Sequence, residues 1–315
     1  MARILAHIGY HKTGTNWLQD VVFGDPATGL EWLGKRPLSH PVHTLVRTRP
    51  LDFDAEEVRE TFAPLVAKVE AAGRLPVLSF PRLSGHPYSG GYDSKEIADR
   101  LRQVFPEAWV LITVREQRSM VLSTYKQYVK AGGACELDEF LSPATRRGWR
   151  IPGFDFAHFA YDRLIAYYQA LYGHENVLVL PYEQLVRDGR AFVEAIGRFV
   201  GRPIPGDVLD RMPFGRRSNE ASPALTIGLT RPLNRFGQRT DLNPSPLFHS
   251  RVLSRTARRL RTDPRGLPGG RRLAERKEAE LRRAVDEAVG DRYVTSNRRT
   301  AELTGLDLAA YGWML

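Results

Sequence analysis

Residues 9–17 have the sequence GYHKTGTNW and lie between two apolar stretches, RILAHI (3–8) and LQDVVF (18–23). A glycine-bounded loop between a predicted strand and a predicted helix is typical of anion sites, because the first N–H groups of the helix point toward the anion. The G-x-x-x-x-G-K-[ST] pattern of triphosphate loops is broken, since Thr15 and Asn16 stand where Lys and Ser or Thr are required. The loop therefore predicts an anion site of a different kind, with a plain turn and a threonine helix cap as the alternative.

The position of the lysine in the loop indicates which kind of anion binds there. Lys12 lies inside the predicted curl of the loop, where its amine can reach an atom that bridges two anionic groups. Asn16 occupies the position that normally gives a hydroxyl to magnesium. We therefore expect an anhydride bound without a metal ion.

The composition indicates a globular chain. It has 315 residues, of which 42% are hydrophobic and 26% charged, and no linker or internal repeat divides it. We predict a single domain over 1–315, with 205–290 as a possible helical cap or acceptor-side insertion. The lone Cys135 cannot form an internal disulfide, and no apolar run approaches the ~20 residues of a membrane span. We expect a soluble, cytoplasmic protein.

The net charge of +10 raises the question of nucleic-acid binding. Much of the excess lies in 251–283, which has twelve Arg and Lys against four acidic residues. The part RRLAERKEAELRRAVDEAV (271–289) spaces its apolar residues as a helix does, at Leu273, Leu281, Val285 and Val289. Because no aromatic residues interleave the arginines, we predict a solvated helix and no nucleic-acid partner.

Strand and helix patterns alternate along the chain. Apolar runs at 3–8, 75–80, 109–114 and 176–181 predict strands with both faces covered, and 93–105 and 115–133 predict helices. The order is that of an α/β fold, with a central parallel sheet flanked by helices, similar to P-loop nucleotide-binding proteins, and a helical C-terminal elaboration. Ligands of such sheets bind at the carboxyl ends of the strands. Four candidate segments follow strands there: GYHKTGTNW, SFPRLSGH (79–86), REQRS (115–119) and PYEQL (181–185).

Two of these segments resemble a known family. HKTGTNWLQ (11–19) resembles the 5′-phosphosulfate loop, typically P-K-[ST]-G-T-T-W-L, of sulfotransferases that use 3′-phosphoadenosine 5′-phosphosulfate (PAPS). VREQRSMVLSTY (114–125) resembles that family's 3′-phosphate site, an Arg at a strand end and a Ser eight residues later. VLVLPYEQLVRDG (177–189) and GLDLAAYGW (305–313) are similar to further family segments, whereas 225–295 match poorly.

The resemblance implies transfer of a sulfuryl group from PAPS, without a metal, to a hydroxyl or amine of a small-molecule, glycan or lipid acceptor. Adenosine 3′,5′-bisphosphate is then the product, and Lys12 stabilises its developing charge. Trp17 would stack on adenine or else pack the first helix, and Ser123 lies opposite the apolar stripe of its helix, where it can meet an anion. The implied PAPS-binding residues are Lys12, Thr13, Gly14, Thr15, Asn16, Trp17, Arg115, Ser123, Tyr182, Arg216 and Arg217. The sequence indicates neither the acceptor nor the oligomeric state.

The catalytic base is where the chain departs from the family. Sulfotransferases usually carry a His or Glu just after the second strand, but this chain has Pro81 there. His86 is the proton acceptor nearest in sequence, so we predict His86 as the general base, with the alternatives Asp93, Glu116, His11 and His43. Two other functions stay open: a nucleotide kinase of related fold, and a non-catalytic protein that binds PAPS or the bisphosphate because Pro81 replaces the base.

Overall fold

The computed structural model describes residues 3–34, 41–142, 153–215, 224–234, 242 and 270–315. Within these ranges the chain forms a five-stranded parallel sheet. Its strands are β1 (Leu5–His7), β2 (Leu30–Trp32), β3 (Leu75–Ser79), β4 (Trp109–Val114) and β5 (Val177–Pro181). Their order in the sheet is β2-β3-β1-β4-β5. The strand that precedes the glycine-bounded loop is therefore the central one.

Successive residues of the inner strands point into two different hydrophobic cores. Leu5 and Leu111 belong to the core on one side of the sheet, and Ala6 and Ile112 to the core on the other. A strand covered on both faces needs apolar residues at every position, which explains why the predicted strands are continuous apolar runs. The four predicted strands are confirmed. The edge strand β2 was not predicted, because Leu30–Trp32 contains a glutamate and forms no apolar run.

The described helices lie on both sides of the sheet and alternate with its strands. They are α1 (Thr15–Trp17), α2 (Pro41–Arg47), α3 (Ala55–Ala71), α4 (Ser94–Val104), α5 (Gln117–Lys130), α6 (Leu137–Leu141), α7 (Tyr161–Tyr172), α8 (Tyr182–Arg187), α9 (Gly189–Phe199), α10 (Gly206–Asp210), α11 (Ala224–Asn234), α12 (Gly270–Val289) and α13 (Val294–Thr304). The predicted helices at 93–105, 115–133 and 271–289 are confirmed as α4, α5 and α12. This is the α/β fold that the sequence predicted.

Helix α5 follows β4, and the helices α11 and α12 pack against it. Lys126 of α5 forms a buried ion pair with Glu278 of α12, with Nζ to carboxylate distances of 2.6 and 2.7 Å. Val285 and Val289 of α12 are buried as predicted, whereas Leu273 is 46% exposed. The C-terminal elaboration thus packs on the helix whose N-terminal end carries Arg115 and its neighbours.

The described part of the Arg-rich segment, from residue 270 onward, has the predicted solvated surface. Arg283 is exposed and pairs with Glu287 one turn later, and Arg276 and Lys277 share Glu280. Such exposed pairs contribute little to stability, typically a few tenths of a kcal/mol. The remainder of the segment, 251–269, lies outside the described residues. Among the helices that can be described, none has the length and apolar character needed to cross a membrane.

Candidate active site

The carboxyl edge of the sheet brings the four candidate segments together. Arg115 Nη1 donates to the carbonyl of Lys12 over 3.1 Å, which ties the end of β4 to the loop after β1. The guanidinium carbon of Arg115 lies 4.9 Å from the ring centre of Tyr182, after β5. The rings of His11 and His86 lie 5.9 Å apart, which adds the turn after β3. The convergence predicted from the strand order is therefore present.

The 9–14 loop has a left-handed backbone at two positions. Lys12 has φ +71° and Gly14 has φ +87°. Gly14 tolerates this conformation, and a side chain there would also meet Leu185 at 2.7 Å and the Tyr182 ring at 3.5 Å. Lys12 is the one positive-φ residue other than glycine among the described residues, and this sparsely populated conformation costs about 1–3 kcal/mol. The surrounding structure must hold it in place.

The start of α1 offers polar groups that no part of the described structure engages. The first intrahelical bond of α1 runs from the N–H of Leu18 to the carbonyl of Gly14, over 3.0 Å. The N–H groups of Gly14 and Thr15 find no acceptor within the described ranges, and the hydroxyl of Thr15 is buried without a partner. Buried polar groups are normally hydrogen-bonded. An anion seated on the loop would satisfy these groups, which fits the predicted phosphosulfate.

The Lys12 amine is surrounded by other cations. No described carboxylate pairs with it, and burial lowers its pKa, an effect that Lys130 and Arg115 reinforce. A partly buried cation among cations favours any multiply charged anion that can enter. The electrostatics of the loop therefore agree with a ligand that carries several negative charges.

Arg115 is fixed by both neighbouring segments. Its Nε donates to the hydroxyl of Ser119 over 2.9 Å, and its carbonyl accepts from the hydroxyl of Tyr161 over 2.7 Å. The sequence paired Arg115 with Ser123, which lies one turn beyond Ser119 along α5 and is 5% exposed. In this structure Ser119 is thus the serine that orients Arg115.

Trp17 packs inside the protein. It is 5% exposed and belongs to the core that contains Leu18 and Phe192, with its ring 5.8 Å from that of Phe214. This placement agrees with the packing alternative that the sequence left open. Tyr182, by contrast, is half-buried beside Arg115 and Gly14, at the site itself. Arg216 and Arg217 lie outside the described residues.

The turn after β3 positions His86 in a defined way. Pro81 opens a short helical turn (Pro81–Ser84), and Arg82 pairs with Asp93 over 2.5 Å. The N–H of Tyr88 donates to Nδ1 of His86 over 3.1 Å. Neutral His86 therefore carries its proton on Nε2, and burial lowers its pKa, with Arg82 lowering it further and Asp93 opposing. In this conformation the ring can donate at Nε2 but has no free lone pair.

His11 differs from His86 in its hydrogen bonding. Its Nδ1 is buried and has no partner among the described residues. Burial, together with the nearby histidines and the cations Arg82 and Lys12, lowers the pKa of His11 to about 3. The ring is therefore neutral near pH 7 and has an unengaged lone pair.

The other candidate bases are engaged elsewhere. Both carboxylate oxygens of Glu116 accept N–H groups of the first turn of α5, at 2.9 and 2.8 Å, so this side chain caps the helix. Asp93 is paired with Arg82, and the ring of His43 packs against Phe80 at 5.4 Å.

A cavity of about 380 Å³ opens beside Ser119, and side chains of both charges line it.

Residues that the sequence analysis missed lie beneath the loop. His7, Ser79, Thr113 and Gln19 are buried polar side chains in direct contact with one another or with Thr13. A histidine inside an apolar run was the one signal in the sequence. The partners come from three strands and one helical turn, so their proximity depends on the sheet register.

Comparison with known proteins supports the resemblance seen in the sequence. Residues 93–206 match the model of the sulfotransferase family. No curated protein sequence matches the chain. The matched stretch contains Arg115, Ser123 and Tyr182 but not the 9–14 loop, so the assignment of the loop rests on its motif and its geometry.

Several solved sulfotransferase structures are similar to this chain. A sulfotransferase from Alicyclobacillus acidocaldarius is 17% identical, with a TM-score of 0.50, and the match covers 74% of this chain and 93% of that one. The sulfotransferase domain of the Synechococcus PCC 7002 olefin synthase is 18% identical (TM-score 0.42; 87% and 94% covered). A mouse sulfotransferase complexed with PAP is 15% identical (TM-score 0.41; 95% and 89% covered). The likeness to the Alicyclobacillus structure shows the sulfotransferase fold, and the family match supports sulfotransfer activity in general.

Proposed function

We propose that the protein is a PAPS-dependent sulfotransferase that moves a sulfuryl group to a hydroxyl or amine. The observation that carries the proposal is the 9–14 loop, where the Lys12 amine, two N–H groups and the Thr15 hydroxyl lack partners within the described structure. An anhydride of phosphate and sulfate provides an oxygen for each of these groups. The same loop is tied to Arg115, which the family match includes.

The roles of the residues follow from where charge develops. In-line transfer breaks the bond between the sulfuryl sulfur and the oxygen that bridges it to phosphate, and negative charge grows on that oxygen. Lys12 is the cation that can meet it, because its amine is held at the loop and no carboxylate of the described residues pairs with it. The helix N-terminus at Thr15 adds positive potential at the same place. These groups act more strongly on the transition state than on the bound donor, so they accelerate the reaction.

The 3′-phosphate of the donor is assigned to Arg115. The Nε and Nη1 atoms of this guanidinium are engaged by Ser119 and Lys12, and Nη2 has no acceptor among the described residues. An arginine held at two nitrogens presents its third as a preorganised donor. Ser123, Asn16, Tyr182, Arg216 and Arg217 stay predicted contacts of PAPS.

We further propose that His11 removes the acceptor's proton and that His86 donates a hydrogen bond. His86 was the sequence-based prediction, but its Nδ1 accepts the N–H of Tyr88, whereas Nδ1 of His11 is buried without a partner, which leaves Nε2 of that ring to face the acceptor. The bound donor places negative charge beside His11, which raises its basicity at the moment a proton must be taken. Both rings lie at the edge of the sheet where Lys12 acts.

The two histidines can be separated by kinetics. We expect His11→Gln to lower turnover by about 100-fold with little change in bisphosphate affinity, and nitrophenol acceptors, which are already acidic, to recover part of the loss. His86→Gln keeps a side-chain donor and is expected to retain more than a tenth of the activity. If His86→Gln shows the larger loss and the nitrophenol recovery, His86 is the base.

The proposed function is tested by measuring transfer from the donor PAPS to a panel of acceptors. We expect label from [³⁵S]PAPS to appear on at least one member of a panel of phenols, amines, glycans and lipids, with EDTA present. The acceptor class and a cytoplasmic location are part of the proposal. Bisphosphate binding without transfer to any acceptor would favour the non-catalytic alternative, to which Pro81 points. Phosphoryl transfer from ATP with magnesium would instead establish a kinase.

A further inference from the structure

A line of hydrogen-bonded side chains crosses the three inner strands directly beneath the 9–14 loop. The line runs from Gln19 through β3, β1 and β4 and ends at the loop itself, and nearly all of it is inaccessible to solvent. The five side chains are Gln19, Ser79, His7, Thr113 and Thr13, and the final acceptor is the carbonyl of Tyr10. The parallel register of β1 with β3, which pairs His7 with Ser79, brings the central members together.

The direction of every bond on the loop side is fixed by its end. The carbonyl of Tyr10 can only accept, so the Thr13 hydroxyl donates to it, over 2.6 Å. A hydroxyl has one proton, so the 2.7 Å contact between Thr13 and Thr113 uses the proton of Thr113. The 3.2 Å contact between Thr113 and His7 then requires a proton on Nε2 of His7.

At the Gln19 end of the line, the hydrogen bonds also donate in the direction of Tyr10. The side-chain amide of Gln19 donates to the hydroxyl of Ser79 over 3.1 Å and to its carbonyl over 2.8 Å. Neutral His7, protonated on Nε2, has its lone pair on Nδ1, so the Ser79 hydroxyl donates to it over 2.8 Å. Each member donates once toward Tyr10. A fully satisfied buried network of this kind specifies a single arrangement.

The end of the line coincides with the strained part of the loop. The bond from Thr13 to the carbonyl of Tyr10 closes the turn that contains Lys12, the residue with φ +71°. Gly9 allows the loop to approach the line, because a side chain at Gly9 would lie 2.7 Å from His7, Thr113 and Thr15. The line of hydrogen bonds therefore meets the loop at the turn that contains Lys12.

We propose that His7 is a positioning residue that, through Thr113 and Thr13, holds the turn of the 9–14 loop in the conformation that binds the 5′ group of the donor. This role rests on the proposed function, since it concerns the same loop. His7 itself is fully buried beneath the loop. We expect its effect chiefly at the 5′ end of the donor, because Arg115, which is assigned to the 3′-phosphate, is also held by Ser119 on α5.

Two ligands and one matched pair of variants test the proposal. Adenosine 3′,5′-bisphosphate carries a 5′-phosphate for the loop, and adenosine 3′-monophosphate lacks it. Thr113→Val keeps the shape of the side chain and removes the link, whereas Thr113→Ser keeps the hydroxyl. By calorimetry we expect Thr113→Val to bind the bisphosphate about tenfold more weakly, as for one lost hydrogen bond, and to bind the 3′-monophosphate as wild type does. Thr113→Ser is expected to match wild type with both ligands.

A merely structural role gives a different pattern. Equal losses for both ligands, or no loss for either in a folded Thr113→Val protein, would overturn the proposal. ¹⁵N NMR of the wild-type imidazoles supplies a measurement that needs no ligand, with the His7→Gln spectrum used to assign the His7 signals. We expect a neutral ring protonated on Nε2 from pH 6 to 8, and a proton on Nδ1 would contradict the direction of the line. Failure of wild type to bind the bisphosphate would refute the proposed function, while the NMR result would still decide the state of His7.

Discussion

Lys12 in the 9–14 loop and Lys126 in α5 are both lysines withdrawn from water, and burial lowers the pKa of each. They differ in what faces the ammonium group. Lys126 meets both carboxylate oxygens of Glu278, whereas Lys12 has Lys130 and Arg115 as its charged neighbours. A buried cation with its own counter-ion is part of the framework, and a buried cation without one is prepared for an anion from outside.

The same contrast explains why charge density in the sequence does not mark the site. The described part of the Arg-rich segment supplies many cations, yet its arginines pair with glutamates three or four residues away on α12. The site has fewer cations, but they converge from different strands. What matters is which charges remain uncompensated after folding.

The largest expected effect is at the unpaired lysine. We expect Lys12→Ala to lower turnover at least 100-fold, equivalent to about 2.7 kcal/mol of transition-state stabilisation, while the fold survives. Lys277→Ala, at an exposed and paired lysine of α12, serves as the control and is expected to change turnover less than twofold. If the Lys12→Ala enzyme retained its activity, the difference between Lys12 and Lys126 would have no catalytic meaning.

The second effect is at Arg115. Because this guanidinium is assigned to the 3′-phosphate, Arg115→Ala should weaken binding of adenosine 3′,5′-bisphosphate by about 2–4 kcal/mol and leave AMP binding almost unchanged. Arg187, which likewise lies over a tyrosine ring (Tyr311) but far from the loop in sequence, is the matched control. Equal losses for the two ligands in titration calorimetry would make Arg115 structural.

Acid should destabilise the protein through its buried histidines. Burial lowers the pKa of His7 and of His158 to about 3, whereas an unfolded histidine titrates near 6.5. The unfolded chain therefore binds protons that the folded chain rejects, and stability falls as the pH drops below about 6.5. Each histidine should remove roughly 2 kcal/mol between pH 7 and 5.

Urea unfolding of a histidine variant measures that contribution. His158→Gln should lose about 2 kcal/mol less than wild type between pH 7 and 5, whatever its stability at pH 7, and the exposed His174→Gln should follow wild type. An unchanged pH dependence in His158→Gln would show that His158 is not the source.

The smallest effect tests the framework pair. Glu278→Gln leaves the Lys126 ammonium without its counter-ion and should cost about 1–2 kcal/mol of unfolding free energy, less than for a fully buried pair because Glu278 is partly exposed. The double variant Lys126→Met/Glu278→Leu should recover most of this loss. Glu287→Gln, which breaks an exposed pair, is expected to cost under 0.5 kcal/mol. Turnover should stay within about twofold in all three.

The sequence predicted the parts of the fold that rest on local patterns. Continuous apolar runs identified β1, β3, β4 and β5, because a strand that is buried on both faces has apolar residues at nearly every position. The strand β2 was missed, since Leu30–Trp32 contains a glutamate and has no run. The docking of α12 on α5 could not be predicted either, because Glu278 is surrounded in sequence by arginines and its partner Lys126 lies 152 residues away.

The site residues, like the elements of the fold, include some that the sequence predicted and some that it did not. Lys12 and Arg115 were identified because their motifs are contiguous, and the strand order predicted that they would meet. Ser123 was preferred to Ser119 from motif spacing, and the hydrogen bond from Arg115 to Ser119 appears only in the folded chain. The one signal of His7 was its place inside an apolar run, and its role could not be predicted because its partners Ser79 and Thr113 come from strands that are far apart in sequence. Which nitrogen of His86 is free depends on one backbone N–H.

The central claim is that the 9–14 loop binds the product nucleotide of sulfuryl transfer without magnesium, and thermal unfolding with two ligands tests it most directly. We predict that saturating adenosine 3′,5′-bisphosphate with EDTA raises the unfolding temperature by several degrees, since a ligand at 100 times its Kd stabilises by about 2.7 kcal/mol, and that ATP with magnesium does not. Stabilisation by ATP with magnesium, and none by the bisphosphate, would contradict the account.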